Sequence, residues 1–174
     1  MRLKRDFFNQ KTLKVARDLL GQTLVRRVGS ETLRQTITEV EAYVGPHDLA
    51  CHSSRGKTAR NAPMFEEAGT IYVYFTYGMH WMLNIVTEEK DFPSAVLIRG
   101  TEQVSGPARL TKALQIDKSL NGQKLGLASG LWIEANPNLE AKSYKLTRTH
   151  RIGVESAKEG WAKKPYRFLL TKKV

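Results

Sequence analysis

A single cysteine, Cys51, stands in 174 residues, so no intrachain disulfide can form. That usage suits a reducing compartment such as the cytoplasm. No apolar run approaches the ~18 residues of a bilayer-spanning helix. The first residues, Met1 to Phe8, include Arg2, Lys4 and Arg5 but no apolar stretch of the kind a secretory signal needs. Potential metal ligands gather only as His47, Asp48, Cys51 and His52, a spacing that fits no zinc pattern with four clear ligands, so no metal is expected. There is no repeat, low-complexity tract or internal linker, and residues 1–174 read as one domain. Acidic residues are scarce as well. The 17 Asp and Glu face 28 Lys and Arg, for a net charge of +11. Such an excess attracts polyanions, nucleic acid ahead of anionic membrane, although a basic surface also serves solubility.

What is present is enough apolar residue, 41%, for a real core. Thr12 to Leu20 reads as a helix capped by Thr12, with a stripe of Val15, Ala16, Leu19 and Leu20 and a stop at Gly21. Thr23 to Arg27 reads as a strand, paired through a turn with a longer strand from Leu33 to Val44. His47 to Pro63 is a polar working loop carrying Arg55, Lys57 and Arg60. Ser94 to Arg99 is a buried strand ending in a charge that either surfaces or pairs with a neighbouring carboxylate. Gly106-Pro107 opens a helix over 108–116, where Arg109 and Lys112 either meet a phosphate or form a solvated basic face. Leu131 to Glu134 is a strand. Trp161 and Phe168 read as core, whereas Arg148, Arg151, Lys163, Lys164 and Arg167 make the last quarter a candidate phosphate-contact surface.

The most informative stretch runs from Ile37 to Asn84. In Ile37-Thr38-Glu39-Val40-Glu41-Ala42-Tyr43-Val44-Gly45-Pro46, alternation puts Val40, Ala42 and Val44 on the core face and Glu39, Glu41 and Tyr43 on the other. Side chains two apart on a strand sit ~7 Å apart, so Glu41 sets a carboxylate beside the aromatic plate of Tyr43. A tyrosine-rich hairpin follows over 69–84, turning near Tyr77-Gly78. The tip Tyr77 is either an exposed turn residue or a wedge between base pairs. A carboxylate, aromatic plates and a basic chain together point to chemistry on a nucleobase.

These pieces resemble the alkyladenine (3-methyladenine) DNA glycosylases of the mammalian type, which also occur in bacteria. The resemblance runs through Glu39 to Pro46, His52-Ser53, Thr58 to Phe65, Tyr72 to Asn84, Leu97-Ile98-Arg99, Gly106-Pro107, Arg151 to Val154 and Trp161 to Phe168. It implies a mixed α/β (α+β) domain, a curved antiparallel sheet ringed by helices with a protruding hairpin. It implies hydrolysis of the bond between a damaged purine and its deoxyribose in double-stranded DNA, with no cofactor. Such a bond breaks through an oxocarbenium-like sugar, which needs one carboxylate as base and as negative partner. By this resemblance Glu41 is the base, ionised at its ordinary pKa of ~4.3. Arg99 holds the water and keeps Glu41 charged, and the Val154 carbonyl is a third water contact. Tyr43 stacks on one face of a flipped base, with His52 and Tyr74 on the other, and Asn84 disfavours the 2-amino group of guanine. Tyr77 fills the vacated stack, and Met79, Arg109, Arg151, Lys163 and Lys164 contact DNA. The implied enzyme is monofunctional and by default monomeric, in the cytoplasm with the nucleoid or, in a eukaryote, in the nucleus.

The chain departs from the family pattern at Gly100-Thr101, at Ala108 and at Ala68. These leave open the packing beside Arg99 and the approach of backbone to phosphate after Pro107. Two other readings stay open on the residues alone. A non-catalytic nucleic-acid module would keep the basic surface and Tyr77 but would not need Glu41 with Arg99. A hydrolase of free nucleosides would keep the pocket but would have little use for +11 of charge.

Overall fold

The computed structural model describes residues 1–139 and 143–173. In chain order it forms α1 (Arg5–Phe8), α2 (Thr12–Leu19), β1 (Thr23–Val28), β2 (Glu31–Tyr43), β3 (Ile71–Thr76), β4 (His80–Val86), β5 (Ala95–Thr101), α3 (Pro107–Ala113), β6 (Leu131–Glu134), β7 (Tyr144–Thr149) and β8 (Arg167–Lys172). Short 3-10 turns cover His52–Arg55, Ala62–Phe65, Lys118–Leu120 and Trp161–Lys163. This is an α+β fold with a curled antiparallel sheet and few helices. No helix among the described residues is long and apolar enough to cross a membrane.

The long strand β2 is the axis of the sheet. Its first half pairs with β1 from Thr36↔Thr23 to Glu31↔Val28, the hairpin that the sequence predicts. Its second half lies between β5 and β8, with Glu41 opposite Leu97 on one side and Arg167 on the other. The sheet continues outward through β4 to β3, and β7 pairs with β8. Alternation holds from Val40 to Ala42, both fully buried, and register shifts between Ile37 and Val40 bring Ile37, three residues earlier, into the core as well. They pack against Val15, Ala16 and Leu19 of α2 and Leu110 of α3 in one cluster, and each such side chain contributes roughly 1.5–3 kcal/mol by leaving water. The opposite face does not reach solvent. Glu41 has no exposed surface, because residues 150–154 and the loop after β2 close over it.

Two local expectations change. Thr12 does not cap α2 but is its first residue. Its N–H and hydroxyl both donate to Glu88 Oε1, at 3.1 and 2.7 Å, so a glutamate distant in sequence meets the helix N-terminus. Helix α3 is shorter than expected, ending at Ala113, and Pro107 does take the first turn. Phe168 is core, whereas Trp161 is only partly buried at the edge of the cluster.

Where β2 ends, Gly45 turns the chain at φ +107, and a side chain there would run into the Phe92 ring at 2.7 Å. The turn brings Asp48 back so that its carboxylate accepts from the Val44 N–H at 3.1 Å. The expected working loop then leads through its two 3-10 turns into β3.

Candidate active site

A cavity of about 290 Å³ opens between the end of β2, the β3–β4 hairpin and residues 150–154. Its volume sits at the small end of small-molecule sites, ~300–1,000 Å³, and suits one flat bicyclic ring system. The walls include Tyr43, His52, Tyr74, Asn84, Arg99 and Val154, and Tyr77 stands at the rim. Elements far apart in sequence thus bring together most of the residues singled out above.

Glu41 is the charged centre beside this cavity. Its Oε2 accepts from the Tyr43 hydroxyl at 2.9 Å and its Oε1 from the Ile152 N–H at 2.8 Å. The Arg99 Nε lies 3.5 Å from Oε1. Each oxygen keeps a second lone pair, so the group can still accept a proton. The ordinary pKa expected for Glu41 is not what the fold gives it. Burial pushes the carboxyl above the usual range, and Arg99, the Ile152 N–H and Tyr43 only partly oppose that. The Tyr43 phenol is held well above its usual pKa by burial and by the Glu41 charge, so it stays a donor.

Arg99 reaches the site through a bulge. Val40 pairs with Ile98 and Glu39 with Gly100, so β5 carries Arg99 as an extra residue there. Arg99 pairs first with Glu39, at 2.9 Å, and Arg167 Nε donates to that same Glu39 Oε1 at 2.7 Å. Gly100, one of the departures from the family pattern, lies directly beside Glu39. A Cβ built there would sit 3.4 Å from Glu39 Cβ, an ordinary contact.

The aromatic wall is more angular than two parallel plates. The His52 and Tyr74 rings meet 4.5 Å apart at 71°. A flat ring parallel to one of them therefore meets the other edge-on. His52 Nδ1 shares a hydrogen bond with the Tyr72 hydroxyl at 3.0 Å. Although the residue is exposed overall, burial of that inner edge and the nearby Arg60 charge push the imidazole down to about 4, so it is neutral at neutral pH. Burial raises Tyr74 to about 12. Arg60 packs over the outer side of Tyr74, 5.2 Å from the ring centroid, and donates to the Phe75 carbonyl. The Asn84 amide donates to the Tyr72 carbonyl at 3.2 Å and lines the cavity floor. The Val154 carbonyl already accepts from the Ala157 N–H at 2.9 Å, which leaves one lone pair.

At the hairpin tip Tyr77 and Gly78 both take positive φ, +52 and +65. The turn lifts Tyr77 and Met79 clear of the protein, 78% and 66% exposed. Arg109, Lys163 and Lys164 are on the surface. Arg151 is not. It is buried, with its guanidinium paired to both oxygens of Asp48, so it belongs to the scaffold of the site and cannot serve as a phosphate contact. The same pairing commits Asp48, and the Cys51 thiol is buried against Ser53. Asp48, Cys51 and His52 of the loop thus each have a protein hydrogen-bond partner.

Sequence reading missed three participants. The Ile152 N–H is backbone and leaves no signature. Glu39 reads in the sequence only as a neighbour on the face of Glu41, yet it binds both arginines. Asp48 reads only as a potential metal ligand, yet it holds Arg151.

The sequence profile of a family described as Methylpurine-DNA glycosylase (MPG) matches residues 6–106 and 101–174. A Methanocella arvoryzae protein named as a candidate 3-methyladenine DNA glycosylase is 41% identical over 186 residues, covering 95% of this chain and 90% of its own length. A Legionella pneumophila (strain Corby) protein of the same name is 44% identical over 176 residues, covering 97% of this chain and 94% of its own. One from Clostridium perfringens (strain SM101) is 36% identical over 187 residues, covering 91% of each.

Proposed function

The chain belongs to the methylpurine-DNA glycosylase family and is a DNA glycosylase, a hydrolase of N-glycosyl bonds; from that premise we propose that it flips single alkylated or deaminated purines out of duplex DNA and releases them with a water activated by Glu41. The substrates in this reading are 3-methyladenine, 7-methylguanine, hypoxanthine and ethenoadenine. The observation that carries it is the Glu41 carboxylate, fully buried beside a base-sized cavity and still holding free lone pairs.

A base inside a duplex is out of reach of such a cavity, so it leaves the stack first. Tyr77 fills the gap, and its exposure at the cavity rim supports that role. The extruded purine enters against Tyr43, with Tyr74 and His52 opposite. Electron-poor alkylated rings gain most from such contacts. Asn84 on the cavity floor crowds the 2-amino group of ordinary guanine. The bond from C1′ to the purine nitrogen then breaks with its electron pair going to the base, and positive charge grows on the sugar. A cationic alkylated purine leaves neutral, whereas a neutral lesion such as hypoxanthine leaves as an anion and takes a proton from solvent, and Glu41 later returns its proton to solvent. Ionised Glu41 stabilises that charge. A water attacks C1′ and gives its proton to Glu41, held meanwhile by Arg99 and by the remaining lone pair of the Val154 carbonyl. The products are the free purine and an abasic sugar in an unbroken strand. A carboxylate raised above the usual range is a better base than an exposed glutamate.

A duplex carrying one hypoxanthine tests the reading. Abasic sites, scored by alkali cleavage, should form with the wild type. With Glu41→Gln they should fall by roughly 10²–10⁴-fold while duplex binding persists. Undiminished cleavage by the variant would overturn the role of Glu41. A salt titration separates a glycosylase from a hydrolase of free nucleosides, because only the former loses binding steeply as salt rises.

A further inference from the structure

Two arginines share the Glu39 carboxylate next to Glu41, and one of them, Arg99, also lies 3.5 Å from Glu41 without fully pairing with it. Arg99 comes from β5, where the bulge places it beside the site. Arg167 stands directly opposite Glu41 in the register of β8. The Nε atoms of both arginines donate to one atom, Glu39 Oε1, at 2.9 and 2.7 Å, while Arg99 stays 3.5 Å from Glu41. All three side chains are mostly buried, Glu39 at 13%, Arg99 at 12% and Arg167 at 20% exposure, so solvent does little to screen the competition. Gly100 presents no side chain toward Glu39.

We propose that Glu39 is a positioning residue for the reaction: by drawing Arg99 and Arg167 onto its own carboxylate it keeps them from a full ion pair with Glu41 and so preserves Glu41 as a base. This rests on the reading of Glu41 given above. Two carboxylates thus share two cations unequally. Glu39 takes the short contacts, and Glu41 keeps the longer one. The other groups facing Glu41 are neutral donors, Tyr43 on its own strand and the Ile152 N–H, with Tyr74 across from it on β3 and Arg151 behind, the last committed to Asp48. Among the described residues, Glu39 is the carboxylate that shares Arg99 with Glu41.

The test is the pH dependence of single-turnover base release from a hypoxanthine duplex. In Glu39→Gln the two guanidiniums keep an amide oxygen to donate to but lose their anionic partner, so Arg99 closes on Glu41. The acid limb should move down by about one pH unit, and the plateau rate should fall several-fold as the base weakens. Duplex binding should stay within about twofold. The same substitution made in an Arg167→Met background should move the limb less, because one of the two redirected cations is gone. An unmoved limb, or an equal shift in both backgrounds, overturns the proposal. The first would make the cluster a fastening of the sheet, and the second an effect of Glu39 charge through space alone. Should Glu39→Gln not fold, Arg167→Met alone decides. It leaves Glu39 to hold Arg99 undivided, and an upward limb supports the proposal where a stationary one rejects it. Glu41→Gln is run alongside. If that variant still releases base, the reading of Glu41 has failed. If it is inactive and the Glu39→Gln limb does not move, only the role of Glu39 has failed.

Discussion

Arg151 and Asp48 form a two-pronged ion pair in which neither side chain is exposed. The contacts are 2.5 and 2.9 Å, and the same guanidinium donates to the Ala42 carbonyl at 2.9 Å and lies 4.8 Å from the centroid of the Tyr43 ring. The pair clamps the loop after β2 to residues 150–154 and supports the back of the aromatic plate. It joins the segment that carries the Ile152 N–H to the strand that carries Glu41.

Breaking this clamp should cost stability without touching DNA affinity through charge. Asp48→Asn strands a buried cation, for which roughly 3–5 kcal/mol is the usual penalty. Urea unfolding reads it directly. The salt dependence of duplex binding should be unchanged in a folded Arg151→Met protein, whereas neutralising an exposed phosphate contact such as Lys164 should lower the slope by about one. A reduced slope for Arg151→Met would mean that the arginine reaches DNA after all.

Glu41 should be a stability burden as well as a base. Its folded pKa is raised above the unfolded value, so the folded protein holds the proton more tightly between the two. Its contribution to stability is present in acid and lost as pH rises through the folded pKa. At pH ~7.5 Glu41→Gln should therefore melt higher than the wild type, and the gap should close as pH falls through the ordinary carboxylate range of ~4.3. A variant that melts lower at neutral pH would show that the Tyr43 and Ile152 contacts outweigh the burial of charge.

His52 works in the opposite sense. Its folded value of about 4 lies below that of a free imidazole, so its contribution is present above pH ~6.5 and is lost as pH falls through 4. The stability difference between wild type and His52→Gln should shrink or reverse between those limits. Base release should show no inflection from His52 between pH ~5 and ~8. An inflection there that disappears in His52→Gln would place a protonated imidazole in the reaction.

Tyr77 pays for its position with a backbone at φ +52, a conformation that favours glycine. Tyr77→Gly should leave thermal stability unchanged or raise it by up to ~1 kcal/mol, since the side chain is exposed and the strain is relieved. Base release from duplex should slow in the same protein. Release from single-stranded DNA, where no stack needs filling, should be less affected. A loss of stability would show that Tyr77 packs against the hairpin in solution.

The sequence by itself determined the hairpins, the α+β class and the residues that line the cavity. Alternation in Ile37 to Val44 reports which face packs, and Tyr77-Gly78 marks a turn wherever the hairpin points. The placing of Glu41 beside Tyr43 follows from spacing along one strand, whereas the roles of Glu41 as base and of Arg99 are what the resemblance to the glycosylase family implies. Only the tertiary structure decided how those groups behave. Whether Arg151 meets phosphate or Asp48 depends on a loop that returns after Gly45, and nothing local to either residue encodes that return. The raised pKa of Glu41 comes from chain more than a hundred residues away closing over a face that alternation alone assigns to solvent. The division of Arg99 and Arg167 between Glu39 and Glu41 depends on a bulge and on β8 lying beside β2. Burial and ion pairing are properties of what surrounds a group, so they appear only when distant strands are brought side by side.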